Sequence, residues 1–271
     1  MAVCEKTGCH SIYRYEIRAN LKSLLLWAVC VGGMGFACIL LFPDVKENMG
    51  EVAESFASMG AFSDAFGMSQ LNIATLVGFY ATEVGTIHAL GGAMFAAMIS
   101  TTMLSKEEDG HTGEFLFSLP IGKGKVVAAK WCAIMTHVAL FNLFCVGMYL
   151  GGIMSLGETI PTENFILYHM LQLLMQMEIA AICYAVSAFL KKNRLGLGLG
   201  IVLFLYVYDL ISRVAPNLSD HKAISPFSYA NAADVLGTGE AAVPAVLIGC
   251  MVLMLGVCAA HIVYGRRDLA A

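Results

Sequence analysis

The residues best placed to do chemistry in this sequence are carboxylates that lie inside long apolar stretches. Glu178 has Gln172 and Gln176 close by in an otherwise apolar segment. An uncompensated charge at the middle of a bilayer costs about 2.5 to 3.5 kcal/mol, so such a residue either lines a polar route or has a partner. Asp209 has Arg213 four residues later, in the acid-first order that predicts a structural ion pair. Glu178, Gln176, Gln172 and Asp209 form our candidate translocation path, with a hydrogen-bonded packing carboxyl as the alternative for Glu178.

The sequence contains no recognisable motif of a hydrolytic enzyme or of nucleotide binding. His-Glu-x-x-His and Gly-x-Ser-x-Gly are both absent. Gly122-Lys123 is followed by Gly124 and lacks the earlier glycine of a phosphate-binding loop. The run Glu107-Glu108-Asp109 is typical of a solvated face at a membrane exit. We therefore predict no catalytic residue and no cofactor bound by this chain.

The cysteines and histidines do not form a metal-binding pattern. The nine cysteines are scattered without a Cys-x-x-Cys pair, and Cys4 and Cys9 form a lone pair of cysteines. His88 and His137 are each more typical of packing histidines than of ligands. We predict no metal site.

Composition places the chain in a membrane. Apolar residues make up 58% of it and charged residues 13%, whereas soluble domains carry about 25% charged residues. Too few polar residues are present to cover so much apolar surface in water. Lipid must therefore provide much of the environment.

Six apolar stretches are long enough to span a bilayer, which needs about 20 residues for each helix. They cover residues 23–42, 84–104, 131–156, 165–190, 195–214 and 244–264. Lipid offers no partner for unpaired backbone groups, and each stretch is too long for a barrel strand. The predicted fold is all-α, a single six-span membrane domain over residues 1–271.

Basic residues predict the orientation of the six spans. If both termini are cytoplasmic, thirteen basic residues lie inside and three outside, and the bias alternates correctly across every span. The inside set is Lys6, Arg14, Arg18, Lys22, Lys106, Lys123, Lys125, Lys130, Lys191, Lys192, Arg194, Arg266 and Arg267; the outside set is Lys46, Arg213 and Lys222.

Residues 10–22, before the first span, have the pattern of an interfacial helix. A basic stripe and an apolar stripe each recur every four residues. They are Arg14, Arg18 and Lys22, and Tyr13, Ile17 and Leu21. A solvated lead-in to the first span is the alternative.

Two further segments carry structural signals. The loop 215–243 is rich in apolar residues, which predicts a short re-entrant helix ended by Gly237 and Gly239. The pairs Gly196/Gly200 and Gly147/Gly151 predict close helix packing, within the chain by default or between two copies through the fifth span.

The segment between spans two and three combines turn residues, acids and a tight apolar cluster. Thr112 is placed to cap a short helix that Pro120 stops. Its apolar residues are Phe115, Leu116, Phe117 and Leu119. Such side chains facing the cytoplasm need a partner, whereas a helix lying flat on the membrane would bury them in lipid. Both readings stay open on physical grounds.

The order of residues in this segment resembles the type-2 ABC transporter permease family. That family has roughly Glu, Gly-Thr, Glu-x-Leu, Leu-Pro, a basic residue and a lysine entering span three. The matching positions are Glu108, Gly110, Thr112, Glu114, Leu116, Leu119, Pro120, Ile121, Lys123 and Lys130. His111 departs from the pattern as an insertion after Gly110. The resemblance extends to the basic N-terminal helix, the six spans, Ser225-Pro226 and Arg266-Arg267-Asp268.

This resemblance implies that the segment is a coupling helix that docks on a cytoplasmic ABC ATPase subunit. The docking residues would be Glu108, Gly110, Thr112, Glu114, Phe115, Leu116, Phe117, Leu119 and Pro120, with the apolar ones in a groove and the acids at its rim. The ATPase would bind ATP and Mg. Two ATPases and a second permease, identical or related, would export a hydrophobic, amphipathic or peptide-like compound across a bacterial plasma membrane.

Two other functions compete with this one. An ATP-independent channel or secondary carrier would use Glu178 and Asp209 to handle ions or protons, although no inverted repeat relates the two halves. A membrane scaffold or sensor is the third hypothesis. Lipid is the common partner of all three, and nothing indicates nucleic-acid binding.

Overall fold

The fold is a bundle of long apolar helices. The computed structural model describes residues 2–48, 60, 63, 71–113 and 121–267, and the secondary-structure elements in these ranges are helical. Six of the helices in the described ranges are long and apolar enough to cross a membrane. The predicted all-α, six-span architecture is therefore confirmed.

The helices are labelled here in chain order. They are α1 (Ala2–Asn48), α2 (Leu76–Thr101), α3 (Lys106–Asp109), α4 (Lys123–Ser155), α5 (Thr162–Phe189), α6 (Leu195–Val214), α7 (Pro226–Tyr229), α8 (Ala232–Thr238) and α9 (Val243–Arg266). A 3₁₀ helix, Pro216–Ile224, precedes α7, and α2 contains a π-helical turn over Tyr80–Val84.

Two spans begin earlier than the apolar stretches indicate. Helix α2 begins at Leu76 instead of near residue 84, because Thr75 accepts a hydrogen bond from the Gly78 N–H at 3.1 Å and caps it. Helix α4 begins at Lys123 instead of near residue 131. Its first turns carry lysines, which hydropathy excludes from a span but a helix tolerates.

The predicted interfacial helix and first span form one continuous helix, α1. Residues 10–22 contain neither glycine nor proline, so the backbone has no local reason to break there. Ile12 packs against Val126 and Ala129 of α4. The placement of residues 10–22 at the membrane surface stays a prediction.

Helices α2 and α5 form the centre of the bundle. In each, 67% of the most apolar window is buried, against 22% in α6 and 17% in α9. Helix α1 packs along α4, and α9 packs along α5. Gly256 permits the second contact, since a Cβ there would lie 2.8 Å from the Ala181 carbonyl oxygen. The outer helices present apolar side chains to the surroundings, as lipid requires.

Among the described residues, neither small-residue motif is a packing contact, so the default prediction of close packing within the chain is wrong for that part of it. A Cβ at Gly196, Gly200, Gly147 or Gly151 would meet no described atom within 4 Å. Helix α6 instead approaches α2 through Gly198, where a Cβ would lie 2.0 Å from the Thr101 hydroxyl. The contact face of α6 is therefore turned away from the Gly196/Gly200 pair.

The segment after α6 folds into short helices against the bundle. Ser225 caps α7, and the Asn231 side chain caps α8 by accepting from the Asp234 N–H at 3.1 Å. Gly239, with φ of 70°, ends α8, whereas Gly237 lies inside it. Phe227, Tyr229 and most of α8 are buried. Entry of this segment into the bilayer stays a prediction.

Candidate functional site

The described part of the predicted docking segment is α3 and the turn that follows it. The Gly110 N–H donates to the Lys106 carbonyl at 2.9 Å, and the Thr112 N–H donates to the Glu107 carbonyl at 2.9 Å. His111 has φ of 52°, so the inserted residue occupies a left-handed conformation, which histidine adopts more readily than most residues. The other predicted docking residues, Glu114, Phe115, Leu116, Phe117, Leu119 and Pro120, lie outside the described residues.

A buried ion cluster joins this segment to α1 and α4. Lys130 of α4 donates to Glu16 of α1 at 2.9 Å and to the Met103 carbonyl at 2.8 Å, and it also pairs with Glu107 of α3. Lys106 pairs with the other oxygen of Glu16. The side chains of Glu16 and Lys130 are each only 1% exposed. Three helices therefore meet at one set of fixed charges.

The cluster contains two acids, Glu16 and Glu107, and two bases, Lys106 and Lys130, so its formal charges cancel. Burial lowers the pKa of Lys106, the neighbouring charge of Lys130 lowers it further, and Glu16 opposes both effects. Removing one partner from a buried ion pair typically destabilises a protein by about 3 to 5 kcal/mol, because the remaining charge is left uncompensated. The four side chains must therefore stay together in the folded chain.

Arg267 ties the same segment to α5 and α9. Its guanidinium pairs with Glu108 at 2.8 Å and donates to the Ala188 and Leu190 carbonyls at 2.9 Å each. Lys123 at the start of α4 donates to the Arg267 carbonyl at 2.7 Å. Through the ion cluster and Arg267 together, α3 contacts four of the long helices, so a displacement of this segment would act on all of them.

The solvated-face interpretation of Glu107-Glu108-Asp109 is wrong for its first two members. Glu107 and Glu108 are mostly buried in ion pairs, and only Asp109 is exposed. Sequence reasoning also missed Glu16. Its signal was a single acid between Arg14 and Arg18, in a stripe otherwise suited to anionic headgroups.

The four residues of the candidate translocation path do not meet in one seam. Glu178 accepts a hydrogen bond from the Tyr229 hydroxyl at 2.8 Å, and Gln172 donates to the Ala230 carbonyl at 2.7 Å. Asp209 forms the expected pair with Arg213 at 2.8 Å, and Arg213 continues to Asp234 of α8 at 3.2 Å. Glu178 and Gln172 therefore bond directly to the segment that carries α7 and α8, and Asp209 is linked to it through Arg213.

The fourth path residue, Gln176, belongs to a separate polar cluster. Its carboxamide oxygen accepts from Asn142 at 2.7 Å, and Asn142 is hydrogen-bonded to His88 at 3.1 Å. The other ring nitrogen of His88 lies 3.2 Å from the Tyr149 hydroxyl. His88 is thus a fully buried packing residue. Within the described ranges, no group of three or more His, Cys, Asp or Glu side chains is arranged to hold a metal ion.

Together, these features define a multi-pass α-helical membrane protein whose basic end gathers four spans around a short polar segment. The family model described as ABC-2 family transporter protein matches residues 10–269. The chain therefore belongs to that family, the type-2 ABC transporter permeases, and is the membrane subunit of an ABC transporter. No curated protein sequence matches it.

Proposed function

We propose that this chain is the permease of a bacterial ABC exporter, with both termini in the cytoplasm. It works with a second permease, identical or related, and with two cytoplasmic ATPase subunits that bind ATP and Mg. Family membership supports the subunit role, and the clustering of basic residues at the α3 end supports the orientation. The cargo is a hydrophobic, amphipathic or peptide-like compound.

The ion cluster is the observation that carries this mechanism. ATP-driven closure of the two ATPases moves the docking residues, Glu108 to Pro120. Because α3 is bonded to α1 and α4 through Glu16 and Lys130, and to α5 and α9 through Arg267, the movement passes to these spans as a rigid displacement. Closure at the cytoplasmic end thereby reshapes the path between the two permeases.

A second permease is supported by the exposed face of α6. Gly196 and Gly200 lie open beside the exposed side chains of Leu197 and Phe204. Small residues in this spacing let two membrane helices approach closely. Since the chain does not use this face internally within its described residues, we assign it to the contact with the second permease.

The proposal is tested by co-purification with candidate ATPase subunits. Phe115→Asp combined with Leu119→Asp is expected to abolish a complex that the wild type forms, because two charges cannot enter an apolar groove. The matched control is Ile224→Asp combined with Val243→Asp, which changes two exposed apolar residues near the opposite end of the bundle. That control is expected to retain the ATPase.

Two results would contradict the proposal. One is a normal complex, with normal ATP-driven export, in the Phe115/Leu119 variant. The other is transport by the purified chain in vesicles that contain no ATPase and no ATP, which would favour the secondary-carrier hypothesis.

Glu178 is proposed to line the route through the permease. Glu178→Gln is expected to slow export by about tenfold, because it removes a charge that the cargo meets during passage. Tyr229→Phe is the matched control, since it removes the hydrogen bond to Glu178 but keeps the carboxylate. Export rates in vesicles distinguish the two variants. Equal rates in Glu178→Gln and wild type would reduce this carboxylate to a packing role.

A further inference from the structure

A small cavity lies between α2, α6 and the segment of α7 and α8. Its volume is about 40 Å³, and Gln172 of α5 also lines it. Alanines, including Ala89 and Ala233, leave the space open, while Tyr206 and Phe227 supply aromatic walls. A single water molecule occupies about 10 to 15 Å³ of such cavity space. The cavity therefore has room for a small polar group with a carbon or two.

Two of the residues that line this cavity carry a buried hydrogen-bond acceptor that has no donor among the described residues. The carboxamide N–H of Gln172 donates a hydrogen bond to the Ala230 carbonyl, whereas its carboxamide oxygen has no partner among the described residues. One carboxylate oxygen of Asp209 accepts a hydrogen bond from Arg213, and the other oxygen has no partner among the described residues. The two residues are 1% and 3% exposed. Such buried acceptors are normally satisfied, so the cavity suits a donor.

The net charge around the cavity and its aromatic walls both indicate that the missing donor is a cation. Arg213 is shared between Asp209 and Asp234, so these three side chains carry one net negative charge. The positive charge of Lys222 also attracts Asp209, but Lys222 is exposed and solvent screens this attraction. The rings of Tyr206 and Phe227 pack edge to face with centroids 5.4 Å apart, and aromatic faces attract cations.

We propose that this cavity binds the primary ammonium group of an organic cation. The N–H donors of the ammonium group bond to the free oxygens of Gln172 and Asp209, and its short alkyl stem lies against the aromatic walls. Calling that cation the cargo rests on the proposed transport function, whereas binding itself does not. An amine-bearing amphipathic compound is the cargo that this site selects.

The test uses the purified full chain in lipid nanodiscs without an ATPase. Ethylammonium chloride is expected to raise the thermal unfolding midpoint saturably against sodium chloride of equal ionic strength. Tetraethylammonium, which has no N–H and exceeds the cavity, is expected to have no such effect. Ala89→Leu, which fills the cavity, is expected to weaken ethylammonium binding by at least about tenfold. Ala139→Leu, on the exposed face of α4, is the matched control and is expected to bind normally.

Asp209→Asn provides a second variant that keeps the side-chain shape. It is expected to bind ethylammonium about tenfold more weakly, because the charged acceptor is replaced by a neutral one that forms a weaker hydrogen bond. No saturable shift in the wild type, an equal response to tetraethylammonium, or unchanged binding in Ala89→Leu would overturn the proposal and leave the cavity to water. Since no ATPase is present, these outcomes are independent of the docking experiment.

Discussion

Lys130→Met is expected to destabilise the folded chain by about 3 to 5 kcal/mol, because it leaves carboxylates buried without their cation. Glu107 loses its lysine partner, and Glu16 keeps only Lys106. The Met103 carbonyl also loses a donor. The free energy of unfolding, measured by denaturant titration in mixed micelles, reports the change.

Two further variants show that the effect belongs to the cluster. Lys192→Met changes an exposed lysine in the turn after α5 and is expected to alter stability by no more than about 0.5 kcal/mol. Adding Glu107→Gln to Lys130→Met is expected to restore part of the loss, because it neutralises the carboxylate that has lost its lysine partner. Equal destabilisation by Lys130→Met and Lys192→Met would refute the role of the cluster.

Arg213→Met is expected to cost about 3 kcal/mol, because Asp209 is then buried without its counter-charge. Arg213 also holds Asp234, so the loss should loosen α8 more than the rest of the bundle. Hydrogen exchange over residues 216–242, together with the thermal unfolding midpoint, measures both effects. Faster exchange should be confined to that segment.

The matched control for Arg213 is Lys222→Met, which changes an exposed base in the neighbouring 3₁₀ helix. It is expected to leave exchange and unfolding close to those of the wild type. Asp209→Asn in the Arg213→Met background should recover stability by neutralising the stranded acid. A double variant as unstable as Arg213→Met alone would show that the charge is not the cause.

The six spans were predictable because lipid imposes one strong rule, a long apolar run folded as a helix. The helix ends were less predictable. Thr75 begins α2 by a local cap outside the apolar run, and the lysines at the start of α4 are helical without being apolar. The small-residue motifs did not predict the packing face of α6 correctly. Glycine spacing indicates that two helices can approach closely, but it does not identify the face through which they do so.

Contacts in the candidate site were predictable only where they are local. Asp209 and Arg213 lie one helical turn apart, so sequence spacing alone predicts their pair. Glu16 and Lys130 are 114 positions apart, and Glu178 and Tyr229 are 51 apart. Such pairs depend on how helices pack against one another, which a single sequence does not encode in any short pattern.

The long separation between Glu16 and Lys130 sets an order of assembly during synthesis. Glu16 is synthesised 114 residues before its buried partner Lys130. A lone carboxylate is poorly tolerated in a dry interior, so α1 must keep that side chain in contact with water or headgroups in the meantime. Final docking of the first helix is therefore a late event, which waits until the third span has been inserted.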